Sequence, residues 1–534
     1  VMKKFAFRIL AATLAVASSA ALFAGCSSGE NRNENTLEIR YYVGGFGPAW
    51  MESAASKFEA ANPGVKVELI EDNNLQTSIT SYLSSGRELS DIYFNQDCDW
   101  QYFVSQGWVE PLDDLYETEV EKLDGTKIKI KDYMNDDRID VPYMTVRPGQ
   151  GNSHPWILPW SVLNCGMVYN EDVVLNTPRR STGKNWDKAP ETVAELHEYV
   201  DDLNASNLTS STGKKVQAFA FGINKGQWWL TFPLKVWWAQ YQGVYEASEN
   251  AKKDGDGSYY DFWDFGAPEY DVEAFTNGGN VWEQKGIQVA LDTLSDFITD
   301  HNGNYINAIE KCDEITGIDA EQAFIRGEAA FIFVGNWIEN EMRDFMPDDF
   351  TMKSMFVPSL DNAAINPETG KPYKINNNAE MDVIFIPSGA PNKELAKQFL
   401  AFINSEEMLL DFTKNTGVAR PFEYDPMKAE EVFADEGFEF SSYVESSLKM
   451  YEEADFNIVE YPMNKGHVPE DERDTYLSYI FTYKRPELFQ SIGSGPCLNG
   501  ILTKKGADIM KDVIEKTNRD YGTWVDELGI NELK

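Results

Sequence analysis

The stretch from Asp319 to Trp337 constrains the fold most, because it predicts a helix, a sharp turn and a buried strand in immediate succession. Its first part carries apolar residues at helical spacing, and Gly327 stands where a helix would end in a left-handed cap. The run from Ala329 to Val334 is apolar throughout and rich in Phe, Ile and Val, which is typical of a buried strand. Asn336 and Trp337 follow this strand, at the edge where open α/β sheets bind ligands. The alternative for Trp337 is a place in the core, since large aromatic side chains dominate cores as well as sites.

A β-α-β unit is predicted near the start of the chain. Residues 37–43 alternate as a strand, a Gly- and Pro-containing turn leads into a helix over 49–61, and residues 65–70 alternate again. A third strand is predicted over 90–94. Later in the chain, residues 190–196 predict a helix with Pro190 near its first turn, and residues 355–360 and 378–387 predict strands. Strands that alternate with helices favour an α/β fold with parallel strand pairs.

The length of 534 residues exceeds what one hydrophobic core usually serves, so two lobes are expected. Hydrophobic residues make up 42% and charged residues 25% of the chain, which excludes the disordered and low-complexity classes. The formal net charge of -40 disfavours nucleic acid and anionic lipid as partners.

The amino terminus predicts a secretory signal peptide over residues 1–25. A basic beginning is followed by an apolar run from Ile9 to Phe23, which is short for a membrane span, and then by Ala-Gly-Cys26. This end resembles a bacterial lipobox, although Phe23 stands where Leu is usual, and it implies diacylation of the Cys26 sulfur. A buried cysteine in an anchor helix is the alternative. Residues 26–36 are polar and predict a flexible tether.

Neither a metal nor a cofactor is expected. Cys98, Cys165, Cys312 and Cys497 are widely spaced with no C-x-x-C pair, so zero, one or two disulfides all remain open. Residues 252–258 resemble the start of a calcium loop. Counted from Asp254, however, Tyr259 stands where the loop needs glycine and Phe265 where it needs a carboxylate, so a surface turn is favoured. The four histidines are too dispersed for a metal site.

Several segments match, in order, the motifs of one family. They are Phe58–Val67 (F-x-x-x-[NY]-P-x-V-x-V), Gly107–Leu115 (G-x-[LV]-x-P-L-[DT]-[DE]), Trp156–Asn170 (ending in Y-N), Pro190–Leu196 (P-x-T-W-x-E-L, with Val193 in the Trp place), Phe324–Trp337 (F-x-x-G-x-A-A-[MF]-x-x-x-G-x-W) and Lys393–Glu407 (A-x-x-F-x-x-[FW]-[LI]-x-S-x-E). The chain therefore resembles the family 1 extracellular solute-binding proteins of bacterial ABC transporters, the sugar-binding group. Beyond about residue 422 the resemblance fades.

The resemblance implies a periplasmic-binding-protein type II clamshell, with two α/β lobes, a hinge and a ligand cleft between the lobes. Lobe 1 is expected over 37–158 and 357–422, and lobe 2 over 159–356 and 423–534. The implied function is capture of a carbohydrate, in particular an oligosaccharide, and its delivery to the membrane permease subunits of an ABC transporter. No catalysis is implied. We expect a monomer anchored by lipid on the extracellular face of the cell membrane, in a bacterium without an outer membrane.

A sugar cleft needs planar aromatic rings for stacking and polar side chains for hydrogen bonds. Loops after predicted strands, the crossing between lobes and the aromatic-dense segment 228–241 carry this mixture. The candidate ligand contacts are Phe46, Trp50, Asp97, Asp99, Trp100, Trp160, Trp228, Trp229, Asn336 and Trp337. Within the aromatic-dense segment, helical spacing predicts that Trp229, Phe232 and Trp237 face the core and leaves the others free.

Three other functions stay open at this point. A peptide or another polar solute could occupy the same Trp-rich cleft. A lipid-anchored glycosidase would need two carboxylates about 5 to 10 Å apart across the scissile bond. An adhesin or cell-wall module would have no closing cleft.

Overall fold

The computed structural model describes residues 33–135, 154–243, 285–459 and 500–515, apart from 88, 97, 99, 225, 226, 364, 367, 368 and 513. The predicted signal peptide with Cys26, the calcium-like turn and Cys497 lie outside the described residues. Helices and strands alternate through most of the described part.

The strands in chain order are β1 (Thr36–Tyr41), β2 (Lys66–Glu71), β3 (Ile92–Asn95), β4 (Glu119–Glu121), β5 (Lys127–Lys129), β6 (Leu158–Asn170), β7 (Pro178–Arg179), β8 (Lys184–Asn185), β9 (Gln217–Ala220), β10 (Ala329–Gly335), β11 (Met352–Met355), β12 (Ile365–Asn366), β13 (Lys371–Pro372), β14 (Ile375–Phe385) and β15 (Phe456–Val459). The α-helices in chain order are α1 (Ala49–Ala61), α2 (Leu75–Ser85), α3 (Trp100–Ser105), α4 (Asp113–Tyr116), α5 (Ile130–Tyr133), α6 (Glu171–Asn176), α7 (Val193–Ala205), α8 (Thr231–Trp238), α9 (Lys285–Ile298), α10 (Gly317–Ile325), α11 (Ile338–Met342), α12 (Lys393–Ile403), α13 (Glu406–Thr416), α14 (Ala429–Val432) and α15 (Ser442–Glu453).

One mixed sheet runs through the molecule in the strand order β2-β1-β3-β14-β6-β10-β9, with β11 also on β6 and β15 also on β14. β1 lies parallel to β2 and β3, and β10 lies parallel to β9. The long strands β6 and β14 are antiparallel to each other and join these two parallel sets. Residues 158–164 of β6 pair with β14, whereas residues 165–170 pair with β10 and β11. A single strand therefore links the two halves of the sheet.

Helices cover each half with apolar faces. In the first half α1 packs against α12, where Phe58 and Phe399 meet edge to face at 5.2 Å between ring centroids. In the second half Phe297 of α9 stacks on Trp237 of α8 and on His197. Edge-to-face and offset pairs of this kind add stability beyond their buried area.

Local signals fix the segment from α10 to α11. The Thr316 side chain caps α10 by accepting from the Asp319 backbone N–H, and the Asp319 carboxylate accepts from the Thr316 N–H in return. Gly327 has a φ of +74°, as predicted for the turn after this helix. β10 then runs through the sheet with every residue buried.

Most predicted elements of the first half are confirmed, including α1 at its predicted bounds and the parallel pairing of β1 with β2. Three details were wrong. Pro190 lies outside helix α7, because Thr192 caps that helix and its side chain accepts from the Glu195 N–H. The predicted strand over 355–360 ends at Met355. Trp238, expected to be free of the core, is buried alongside Trp237.

No disulfide joins Cys98, Cys165 and Cys312 to one another, and burial raises the pKa of the Cys312 thiol to about 12. In the described ranges no helix is both long and apolar enough to cross a membrane. No group of three or more His, Cys, Asp or Glu side chains that could hold a metal ion occurs among the described residues.

Candidate functional site

The segment that leaves β1 carries two of the predicted aromatic residues, Phe46 and Trp50, into a cluster with Trp160. Trp50 of α1 stacks on Trp160 of β6 with ring centroids 5.0 Å apart, and Phe46 meets Trp160 edge to face at 5.7 Å. Phe412 of α13 closes the cluster against Trp50 at 5.1 Å. Trp160 is fully buried and donates its indole N–H to the Asn95 carbonyl at 3.1 Å. The structure therefore brings these three candidate residues together, and their rings are covered.

A second aromatic group lies at the carboxyl end of β10. The rings of Trp337 and Trp229 are 5.8 Å apart and tilted, and Phe232 approaches Trp337 at 6.5 Å. Gly335 lies directly under the Trp337 indole, where a Cβ atom would come within 1.9 Å of the ring. Gly317 likewise leaves room for the ring of Trp229. Glycine is therefore required at both positions for the two indoles to take these places.

The two aromatic groups meet through a glycine-rich turn after β1, which we name the glycine loop (residues 44–47). Gly44 and Gly47 have φ values of +52° and +72°, and Phe46 within the loop packs on the first cluster. A Cβ atom at Gly45 would lie 2.8 Å from the Trp337 Cβ atom. The glycine loop of the first half thus closes directly onto Trp337 of the second half.

Three glutamates lie around Trp337. The fully buried Glu321 of α10 accepts the Trp337 indole N–H at 3.2 Å. Burial, and then the charge of Glu341, hold the pKa of Glu321 well above its ordinary range. Burial also raises the pKa values of Glu339 and Glu341 in α11. Protonated carboxyls can donate hydrogen bonds as well as accept them, so neighbouring carboxyls of this group can bond to each other.

Polar side chains also lie inside the strands that join the two halves. Ser161 of β6 donates to the Asp382 carboxylate of β14 at 2.6 Å, and both residues are buried. Asn336, also buried, donates its backbone N–H to the Asn164 carbonyl at 2.9 Å. The amide groups of Asn95 and Asn377 have no hydrogen-bond partner among the described residues. Buried polar groups are normally paired, so unpartnered amides on these strands are suited to a bound ligand.

Sequence reasoning named Asn336 but missed the other residues of this polar set, because it searched loops for ligand contacts. The signal that could have found it is the run of three asparagines, 376–378, inside a strand of otherwise mixed apolar character. Such a run is unusual where a strand is buried, since each amide needs partners. It marks the place where β14 passes β6 and β15.

The remaining candidates are distributed as follows. Trp100 is fully buried at the start of α3. Asp97 and Asp99 lie outside the described residues, and so does the side chain of Trp228. Contact between a ligand and any of the candidate residues stays a prediction.

A small pocket of about 200 Å³, its mouth included, lies beside this site. Its lining comes from β6, β10, β11 and α15 and includes Asn164, Val334, Gly335, Ser354 and Tyr443. The Tyr443 hydroxyl lies 3.4 Å from the Gly335 carbonyl, to which it donates. This volume is below the range that pockets for small molecules usually span, about 300 to 1,000 Å³.

Comparisons with known proteins gave a family match and a structural match. The family model described as bacterial extracellular solute-binding protein matches residues 44–409, which is more than half of the chain. A solved structure titled "Chitin oligosaccharide binding protein" superposes with a TM-score of 0.56 at 15% sequence identity, and the match covers 91% of this chain and 99% of that one. At this identity the likeness shows the fold alone. A comparison with curated proteins found no match.

Proposed function

Since the chain belongs to the family of bacterial extracellular solute-binding proteins and shares their type II periplasmic-binding fold, we propose that it captures an oligosaccharide between two lobes and delivers it to an ABC transporter. Proteins of this family bind solutes without chemistry, so the chain is a binding protein and not an enzyme. The family membership and the fold are its premises, and what we propose is the carbohydrate as solute and the ABC transporter as partner.

The observation that carries the proposal is the closure of the glycine loop onto Trp337, between two groups of aromatic rings. Indole faces stack on the C–H patches of sugar rings, and buried amides exchange hydrogen bonds with sugar hydroxyls. Asn95 and Asn377 supply amides of this kind from the strands below. When the lobes part at the glycine loop, the face of Trp337 becomes available to a sugar.

The lobes in this proposal are residues 37–158 with 357–422, and 159–356 with 423–534. Support comes from the change of partners along β6, which pairs with β14 up to Asn164 and with β10 from Cys165 onward. Closure around a ligand is then a hinge motion in which the crossing strands change direction. The closed form is the one expected to dock on the permease.

The proposal also includes a lipid anchor on Cys26 and a position on the extracellular face of the cell membrane. Its support is the signal-like amino terminus, in which a basic beginning, an apolar run and Ala-Gly precede this cysteine. Incorporation of labelled palmitate into the full chain expressed in a bacterium, and its loss in Cys26→Ser, would test this part alone.

The test of solute binding is a thermal-shift screen of the chain from Ser27 onward, followed by calorimetry. The panel holds maltotetraose, cellotetraose, xylotetraose and fully acetylated chitotetraose, with tetrapeptides as controls. A solute at about 100 times its Kd stabilises the protein by about 2.7 kcal/mol, which is readily measured as a rise in melting temperature. We expect one tetrasaccharide to bind saturably and to be recovered uncleaved.

A matched pair of variants assigns the binding to Trp337. Trp337 and Trp186 are both buried, and each donates its indole N–H to a buried carboxylate, Glu321 at 3.2 Å and Asp202 at 3.1 Å respectively. Both substitutions should lower the free energy of unfolding by similar amounts. Trp337→Leu should also abolish binding, whereas Trp186→Leu should leave binding intact. Stabilisation by peptides and not by sugars would overturn the carbohydrate assignment and leave the family membership intact.

A further inference from the structure

The carboxyl group of Glu321 is part of a small buried network around the candidate ligand-stacking residue. It accepts the Trp337 indole N–H at 3.2 Å and is itself fully buried. Glu341, one helical turn beyond Trp337, raises the pKa of Glu321 through its charge and through a side-chain hydrogen bond between the two carboxyls. The Glu341 backbone N–H donates to the Trp337 carbonyl at 3.0 Å, which ties these three residues together.

Two carboxyl groups that share a hydrogen bond cannot both carry a full charge at low cost, because like charges repel strongly where water is scarce. No hydrogen-bond donor of the described residues reaches Glu321 Oε2. A proton on one of the two carboxyls supplies the missing hydrogen. Burial is the main cause that raises the pKa values of both groups.

In the described part of the chain, the surroundings of the pair supply no compensating positive charge. Among the described residues no cation lowers the pKa of Glu321 or of Glu341. Tyr443 of α15 lies near Glu321 and Glu339 and adds no positive charge, while Arg343 acts on Glu339. On α10 itself, the Asp319 carboxylate is engaged in the helix cap, where Arg326 contributes to lowering its pKa.

The glycine loop covers this network from the other half of the molecule and contains no titratable side chain. Its contact with Trp337 at Gly45 excludes water from the indole on that side. When the loop withdraws, water returns and the charged form of the pair becomes less costly. Closure therefore favours the protonated pair.

On the basis of the proposed function, we propose that Glu321 and Glu341 are positioning residues for solute binding, which share one proton to fix the indole of Trp337 and take up that proton as the glycine loop closes. The solute then does not contact either carboxylate. Its affinity nevertheless depends on their protonation, since closure removes water from the pair and costs least when the pair shares a proton.

The proposal predicts a particular pH profile. Above the pKa of the pair in the open form, each further pH unit should raise Kd by up to about tenfold, because binding then requires uptake of one proton. In Glu321→Gln the amide oxygen can accept the Trp337 N–H and the amide N–H can donate to Glu341, which imitates the protonated pair. Its Kd should therefore depend little on pH, and Glu341→Gln should behave in the same way.

Glu328→Gln is the matched control. Glu328 is also buried and follows the same helix, but its carboxylate is paired with Lys214 and Arg326, each at 2.9 Å. These cations lower the pKa of Glu328, so it carries no proton to exchange in the neutral range. This variant should keep the wild-type dependence of Kd on pH.

The experiment is calorimetric titration of the chain from Ser27 onward with whichever tetrasaccharide of the panel binds, between about pH 5 and pH 9, in buffers of different ionisation enthalpy. We expect proton uptake by the wild type and by Glu328→Gln, and none in the two Gln variants of the pair. A wild-type Kd that is independent of pH, without proton uptake, would overturn the inference and leave the proposed function standing. Absence of binding by every sugar at every pH would overturn both.

Discussion

Gly45→Ala is the substitution that probes closure with the smallest chemical change. The added Cβ atom would lie 2.8 Å from the Trp337 Cβ atom and 3.1 Å from its Cγ atom, closer than side chains normally pack. Gly45 has no positive φ, so the methyl group adds a steric clash without backbone strain. The clash involves only groups that meet when the glycine loop closes.

The size of the effect follows from the cost of overpacking, which is about 1 to 3 kcal/mol for an added methyl group in a packed site. If this cost falls on the closed form alone, Kd rises by a factor between about 5 and about 150. The rate of solute dissociation should account for most of the change, since closure holds the solute.

Calorimetry with the tetrasaccharide that binds would measure Kd for wild type, Gly45→Ala and the control Gly166→Ala. Gly166 is a strand residue at which a new Cβ would make only an ordinary contact, 3.8 Å from Val357. The control should bind like the wild type. A wild-type Kd in Gly45→Ala would refute the reasoning that the glycine loop closes on Trp337.

Three further predictions concern single contacts. Trp160→Phe leaves the buried Asn95 carbonyl without its donor and should lower the free energy of unfolding by about 1 to 3 kcal/mol in urea titrations; an unchanged midpoint would contradict this. Gly335→Ala forces the Trp337 indole from its place, because the new Cβ would lie 1.9 Å from the ring, so that tryptophan emission should shift to the red and solute binding be lost. Burial raises the pKa of Glu339 in the folded protein. The stability that this carboxyl contributes is therefore complete below its unfolded-state pKa of 4.5 and is lost as the pH rises through its folded-state pKa. Glu339→Gln should therefore weaken the decline of melting temperature with rising pH, and an unchanged decline would count against burial as the cause.

Local sequence signals were sufficient for much of the fold. Helix α1 appears at its predicted bounds because turn residues border it on both sides, and β10 was recognisable from an unbroken apolar run after Gly327. The ends of α7 were harder to place, since both Pro190 and Thr192 are helix-start residues and only the capping hydrogen bond decides between them.

The site was predictable only in part. Aromatic density marked Trp50, Trp160 and Trp337, but it does not say whether a ring is open or covered, which depends on segments distant in the sequence. Asn95 and Asn377 escaped notice because their surroundings arise from pairing between β14 and strands that lie far from it in the chain. The run of asparagines 376–378 was a local signal for Asn377, but the strands that pair with β14 cannot be identified from it.

Hydrogen–deuterium exchange of the chain from Ser27 onward, with and without the tetrasaccharide that binds, tests the central claim most directly. Capture between two lobes predicts that binding protects the glycine loop, residues 44–47, and residues 335–338 together, although they belong to opposite halves of the sheet. Binding that protects only one of these segments, or neither of them, would contradict closure around the solute at Trp337.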